Sequence, residues 1–298
     1  MQLVQYIFTG AGNSFVVIDG RKGDVSRYRQ VPVIRDLCSK YRTDGLMILT
    51  EMPGQAGHDV ESGHDENSAV HGVKLVGGEV DFVMDFFNPD GSGGMMCGNG
   101  GRCIVAFADY LGMKPAAEDG VWHFMAPDGP HEATVISSVA EKSLWVVRLK
   151  MIDVEDVTPM KNGYFLNTGT RHYVEFRDNI DDIDMEAEAK PIRWDDAFRP
   201  EGTNVNFVER RPDGLHVRTF EKGVEGETLA CGTGITASAV AAWFEMPGQA
   251  GHDGKGDVRV QCRRGDWLSV EFRQVGRGYR DVYLTGPAEL VEVIKVGL

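Results

Sequence analysis

The chain has 298 residues, a formal net charge of −14 and five cysteines, with 42% hydrophobic and 26% charged residues. That length allows one large domain or two of about 150 residues, and the composition suits a globular chain with a sizeable core. The acidic balance speaks against a nucleic-acid partner, which needs clustered Lys and Arg to neutralise phosphates. No run reaches the ~18 apolar residues of a membrane span. Five cysteines cannot all pair within one chain, and residues 1–6 show no basic or apolar leader, so a reduced cytoplasmic protein is expected.

In chain order, residues 1–50 read as strand, turn, strand, helix, strand. A Gly-rich turn at 8–15 leads into apolar Phe15-Val16-Val17-Ile18, residues 31–40 carry helical apolar spacing, and 45–49 return as a strand. Residues 52–78 break the pattern with six glycines and three histidines, and read as a long loop. Alternation resumes over 80–87, and a helix is expected from about Gly101 to Gly112. Strands follow at 122–125, 133–136, 144–149, 172–176, 205–208, 215–220, 258–262, 267–272 and 281–284. The whole is a strand-rich α/β chain with one prominent helix in each half. A nine-residue repeat, at 51–59 and again at 245–253, sits in unrelated flanking sequence and reads as an element inserted into surface loops.

Two turns carry the chemistry: Met96-Cys97-Gly98-Asn99-Gly100 and Ala230-Cys231-Gly232-Thr233-Gly234. Each follows an extended segment and runs into an apolar helical one. A thiol there meets free backbone N–H groups at the positive end of a helix, a field that favours thiolate over thiol and lowers a pKa that is ordinarily about 8.5. One such cysteine suggests a nucleophile; two suggest a matched acid and base. Inverting a carbon beside a carboxylate needs a base on one face and an acid on the other, and two facing thiols supply both without pyridoxal or any other cofactor. N–H groups at Gly98-Asn99 and Gly232-Thr233 could hold the carboxylate as charge builds on it. Cys38, Cys103 and Cys262 lie in apolar patterns and are expected in the core.

Four stretches together resemble the diaminopimelate epimerase family. They are Phe8-Thr9-Gly10-Ala11-Gly12-Asn13-Ser14-Phe15; Phe87-Asn88-Pro89-Asp90-Gly91-Ser92 through Cys97-Gly98-Asn99-Gly100-Gly101-Arg102-Cys103; Gly202-Thr203-Asn204-Val205-Asn206-Phe207; and Glu221-Lys222-Gly223 through Glu227-Thr228-Leu229-Ala230-Cys231-Gly232-Thr233-Gly234. The resemblance implies two pseudo-symmetric α/β domains, each a curled, mostly antiparallel sheet around a central helix, with the site between them. The first half would span 1–126, with a loop insertion at 52–78, the second 127–284, and 285–298 would cross back to the first. It implies interconversion of LL- and meso-diaminopimelate, with Cys97 and Cys231 as the acid/base pair. Asn13, Asn88 and Asn204 would hold the distal end of the amino-acid substrate. Gly98, Asn99, Gly232 and Thr233 would bind the reacting carboxylate, Glu221 and Lys222 would line the substrate, and His172 would support the site. A homodimer is implied as well, with no metal.

The chain departs from the family at the distal end. Gly169-Thr170-Arg171-His172 lacks an asparagine usual there, and Lys222 stands where Arg is usual, losing a bidentate grip on carboxylate. Two other readings stand beside this one. A proline or hydroxyproline racemase or epimerase of the same architecture would typically show His where Asn99 stands. A non-enzymatic metal-binding protein would use His58, Asp59, His64, Asp65, Glu66 and His71, whose spacing matches no ligand pattern.

Overall fold

The computed structural model describes residues 3–52, 80–94, 96–246 and 254–295. The loop expected at 52–78, its His/Asp-rich stretch and most of both repeat copies therefore lie outside the described residues. The chain is strand-rich, with sixteen strands in one continuous sheet and four α-helices among the described residues.

The first strands are β1 (Gln5–Gly10) and β2 (Asn13–Asp19), an antiparallel hairpin, followed by helix α1 (Val31–Tyr41), which crosses over to β3 (Gly45–Thr50), parallel to β2. β4 (Phe82–Phe87) pairs antiparallel with β3, and α2 (Gly98–Tyr110) leads to β5 (Val121–Ala126), parallel to β4. β6 (Gly129–Val139) and β7 (Leu144–Lys150) continue antiparallel. The divide expected after residue 126 thus falls in the β5–β6 turn, inside a hairpin whose strands share one sheet.

The same order of pairings returns further along. β8 (Thr158–Pro159) and β9 (Tyr164–Asn167) lead antiparallel into β10 (Arg171–Phe176), and α3 (Met185–Arg193) crosses to β11 (Asn204–Arg211), parallel to β10. β12 (Gly214–Glu221) is antiparallel to β11, with short β13 (Gly226–Thr228) along its edge. α4 (Gly232–Phe244) then leads to β14 (Lys255–Gln261), parallel to β12, and β15 (Trp267–Val275) follows antiparallel. The last strand, β16 (Gly278–Ile294), first pairs with β15, and then its outer part pairs with β7 on one edge and β1 on the other. That second pairing closes β1 to β7 into a ring around α2.

Burial follows from this arrangement. Every residue of α2 from Gly98 to Ala108 is buried, packed against Phe8, Phe15, Met84, Phe86 and Trp145 of the ring. α4 is buried almost throughout, against Val208, Val260, Val270, Phe272 and Leu284. α1 and α3 show one face inward, over Ile18 and Ile48 and over Phe207 and Phe220 respectively. Cys38, Cys103 and Cys262 are buried as expected, Cys262 one residue past β14. No described helix is long and apolar enough to cross a membrane.

Leu284 of β16 sits where the two buried helices start. A Cβ at Gly98 would meet Leu284 Cδ2 at 3.7 Å, and one at Gly232 would meet it at 3.2 Å. Truncating this fully buried side chain opens a cavity at that junction. Leu284→Ala is expected to cost about 2–5 kcal/mol, read as a lower urea midpoint; an unchanged midpoint would show that the junction adds nothing to stability.

Candidate active site

Both cysteines occupy the residue just before a buried helix. Cys97 precedes α2 and Cys231 precedes α4, each with extended backbone and without a capping side-chain oxygen. Cysteine is a poor helix cap, so the N–H groups of the first turn stay available to an anion. The two helix starts face each other: a Cβ on Gly232 would lie 3.7 Å from the Gly98 Cα and 3.9 Å from Asn99 Oδ1. A methyl group at Gly98 would make ordinary contact with the Gly232 Cα at 3.9 Å, and one at Gly232 would press on Leu284 Cδ2 at 3.2 Å, so the space between the starts is filled by a single added carbon.

Around these starts the loops converge. The β1–β2 turn has Ala11 at φ +49° and Gly12 at φ +112°, and a Cβ on Gly12 would sit 2.9 Å from Leu229 Cβ. The turn therefore presses on the segment leading into Cys231 and presents Asn13, whose Oδ1 accepts from Asn99 Nδ2 at 2.6 Å. Asn99 Oδ1 accepts in turn from Arg102 Nη2 at 2.7 Å. On the α4 side, Thr233 is gripped by the β9–β10 turn. Thr168 Oγ1 donates to the Thr233 carbonyl at 2.9 Å, and the hydroxyls of Thr170 and Thr233 bond at 3.0 Å. Cys231 Sγ lies 3.3 Å from Thr233 Oγ1.

His172 is the centre of this side. Asn206 Nδ2 donates to its Nδ1 at 3.0 Å, an orientation set by Thr219 donating to Asn206 Oδ1 at 2.9 Å. The proton therefore belongs on Nε2, which faces the hydroxyls of Thr170 at 2.9 Å and Thr233 at 3.0 Å. Burial lowers the His172 pKa to about 3, so the ring stays neutral and acts as a fixed donor. Asn204 is spent on scaffolding: Nδ2 donates to the Arg171 carbonyl at 2.9 Å and to Thr170 at 3.2 Å, and Oδ1 accepts from the Lys222 N–H at 2.7 Å.

The expectation of lowered thiol pKa values is overturned. Burial pushes both cysteines up, and it outweighs the backbone N–H groups of Asn99 and Gly100 around Cys97 and of Gly234 around Cys231. The Glu221 carboxylate, at the end of β12, adds to the rise at both thiols and is itself pushed up by burial.

Most residues singled out from the sequence thus meet at the two helix starts: Cys97, Gly98, Asn99 and Asn13 on one side, and Cys231, Gly232, Thr233, His172, Asn204 and Glu221 on the other. Asn88 is different. Its described contacts stay in its own turn, with Nδ2 donating to Ser92 Oγ at 3.1 Å. The Lys222 side chain is exposed, and Arg171 ion-pairs with Glu201. Sequence reasoning passed over Arg102, Thr168 and Asn206. Arg102 alone had a signal: the one basic residue of a mostly apolar helix, with no acidic residue within one turn of it.

The diaminopimelate epimerase family model matches residues 164–291. The diaminopimelate epimerase of Flavobacterium psychrophilum is 34% identical over 290 residues, covering 96% of this chain and 97% of its own. That of Chlorobaculum tepidum is 36% identical over 293 residues, covering 95% and 97%. Among solved structures, a PhzF-family phenazine biosynthesis protein from Bacillus anthracis aligns over all of both chains with a TM-score of 0.66 at 12% identity. A hydroxyproline epimerase from Agrobacterium vitis aligns over 98% of this chain and 91% of its own, with a TM-score of 0.57 at 13% identity. At such identities these structures show a shared fold, a strand-rich α/β architecture also found in a probable proline racemase from Agrobacterium radiobacter with a TM-score of 0.62. Within that architecture, the chain belongs to the diaminopimelate epimerase family.

Because burial raises both thiol pKa values, each thiol of the ligand-free protein ionises at higher pH than an ordinary cysteine. Modification of the ligand-free protein by iodoacetamide is expected to be slow at neutral pH and to accelerate beyond about pH 8.5. A rate already at its plateau at neutral pH would show that the helix-start field wins over burial.

Proposed function

We propose that this chain is a pyridoxal-independent epimerase that interconverts LL- and meso-diaminopimelate by proton transfer at the α-carbon. The observation that carries this reading is the pair of cysteines at two abutting helix starts, Cys97 at α2 and Cys231 at α4. The named relatives, both diaminopimelate epimerases matched along nearly their whole length, support the substrate.

In this reading the α-carbon of the substrate lies between the two sulfurs. One cysteine, as thiolate, removes the α-proton, and the other, as thiol, delivers a proton to the opposite face. The reverse reaction exchanges the roles. Negative charge then builds on the α-carboxylate, which binds against the first-turn N–H groups at Gly98, Asn99, Gly232 and Thr233. These donors are fixed before substrate arrives and lose little on reorganisation. Glu221 takes the α-ammonium group. Asn13, held by Asn99, and Asn204, held by Arg171 and Lys222, line the amino-acid chain, and Asn88 and the Lys222 ammonium meet its distal end. His172 keeps Thr233 in place from behind.

The recurring pairing order supports two pseudo-symmetric domains, each with a central helix, meeting at the site. We set the divide near residue 150, after β7, with residues 286–294 of β16 returning to the first. The enzyme is read as a cytoplasmic homodimer with a small-molecule substrate and no resident cofactor.

Incubating the reduced protein with LL-diaminopimelate in deuterated water, and following the α-proton by NMR, tests the assignment. Loss of that signal with appearance of the meso isomer is expected, and Cys97→Ser or Cys231→Ser is expected to slow it by about 10²–10⁴-fold. Exchange with proline or hydroxyproline and none with diaminopimelate would move the assignment to that related reaction.

A further inference from the structure

The two thiols sit on matched helix starts, yet the charges beneath them differ. Five residues after Cys97 stands Arg102; five after Cys231 stands Thr236. Both bond the same carbonyl of their helix: Arg102 Nη1 donates to Gly98 O at 3.2 Å, and Thr236 Oγ1 to Gly232 O at 3.0 Å. Only the first half puts a cation there.

Arg102 is wholly buried and its remaining partners are neutral, Asn99 Oδ1 at 2.7 Å and the Pro287 carbonyl of β16 at 3.4 Å. No carboxylate among the described residues pairs with it. A buried guanidinium without a counter-ion is costly to hold, and arginine does not escape the cost by losing its proton. The titratable groups facing it are Cys97 and Cys103 on α2, with Cys262 and Asp266 from the β14–β15 turn. Those facing Cys97 are Arg102, Cys103 and Glu221, with Cys231 across the gap. Glu221 lies against Cys231. Glu221 works against ionisation of both thiols, so what distinguishes them is the buried cation one helical turn under Cys97, absent under Cys231, and the bond Glu221 makes to Cys231 alone.

Resting on the two-thiol reading above, we infer that Arg102 is a positioning residue that decides which thiol is the base of the free enzyme: it makes Cys97 the first to ionise and leaves the proton on Cys231. It also fixes Asn99. The guanidinium offers donors alone, so the Asn99 oxygen must face it and the amide nitrogen must face Asn13 and the substrate. The proton count follows. A substrate presenting its α-hydrogen to Cys97 is taken first, the Cα–H bond breaks as an S–H bond forms at Cys97, and the Cys231 S–H proton passes to the opposite face of the carbon. The product-release form then has its proton on Cys97, and moving it back to Cys231 restores the starting enzyme.

The test is site-resolved alkylation. Reduced protein is pulsed with iodoacetamide from about pH 6 to 10, and peptides containing Cys97 and Cys231 are quantified by mass spectrometry. Exposure sets the plateau rate of each thiol, whereas the midpoint reports its ionisation. In the unaltered protein the Cys97 midpoint is expected below that of Cys231. In Arg102→Gln the Cys97 midpoint moves up, with labelling near pH 8 falling about tenfold for each unit of movement, while Cys231 stays put. Arg102→Lys, which keeps the charge, is expected to recover most of the Cys97 profile. A purely structural arginine would alter the melting temperature and leave the Cys97 midpoint unmoved. An equal or reversed midpoint order in the unaltered protein overturns the inference, without need of any variant. So does a folded Arg102→Gln with an unmoved Cys97 midpoint. Labelling does not require turnover, so absent exchange with diaminopimelate alongside the expected midpoint order would count against the substrate assignment alone.

Discussion

The glycines that begin α2 and α4 come so close that a methyl group on Gly232 would touch the Gly98 Cα at 3.7 Å, and Leu284 fills the space beside them. Hydrophobic burial of these two helices drives this apposition, since α2 and α4 each form the centre of a core. The chemistry depends on what burial brings together. Two sets of orphan N–H groups point into one gap, and a cysteine stands at each lip of it. A side chain longer than a methyl group at either helix start would compete with Leu284 for the same space. The positions that allow this contact also weaken the first turn of α2, where Gly98, Gly100 and Gly101 are poor helix formers. Packing against Phe86, Met47 and Leu149 makes good that weakness.

The two sides of the gap are stiffened by different means. On the α4 side a neutral network runs from Thr219 through Asn206 and His172 to Thr170 and Thr233, with each donor matched to an acceptor. On the α2 side a single cation holds Asn99 and the Gly98 carbonyl. Satisfied buried networks are rigid because every alternative orientation strands a polar group. Rigidity of this kind suits a reaction whose reagents are two sulfurs that must stay on opposite faces of one carbon.

Strand positions, the crossover helix at 31–40 and the two cysteine turns could be read from the sequence because each has a local signature of alternation, periodicity or turn residues. The start of α2 was expected at Gly101 rather than Gly98, since three glycines mask its first turn. α3 was missed altogether. It is short, contains Pro191, and turns only Met185, Ala189 and Arg193 inward, too few for a periodic signal. The 281–284 strand proved to be an early part of a seventeen-residue strand whose outer part pairs with β7 and β1, and long-range pairing leaves no local mark. The direction of the thiol pKa shifts failed for the same kind of reason. A helix start can be seen in sequence, but the depth at which it is buried is a property of the assembled cores. Asn88 and Asn204 read alike in sequence; one bonds only within its turn among its described contacts, and the other is braced by three neighbours.

Closure of the first ring by β16 has a consequence for how the molecule is made. Gln5 pairs with Ile294, so the ring around α2 joins the first strand of the chain to its last. A ribosome finishes β7 well before it reaches residue 286, and at about 5–20 residues per second the interval is roughly seven to twenty-seven seconds. Throughout that time β1 and β7 have open edges, and the apolar flank of α2 facing β16 has no cover. An edge of this kind invites pairing with other nascent chains. The half that emerges first is thus completed only when the outer part of β16 has been made.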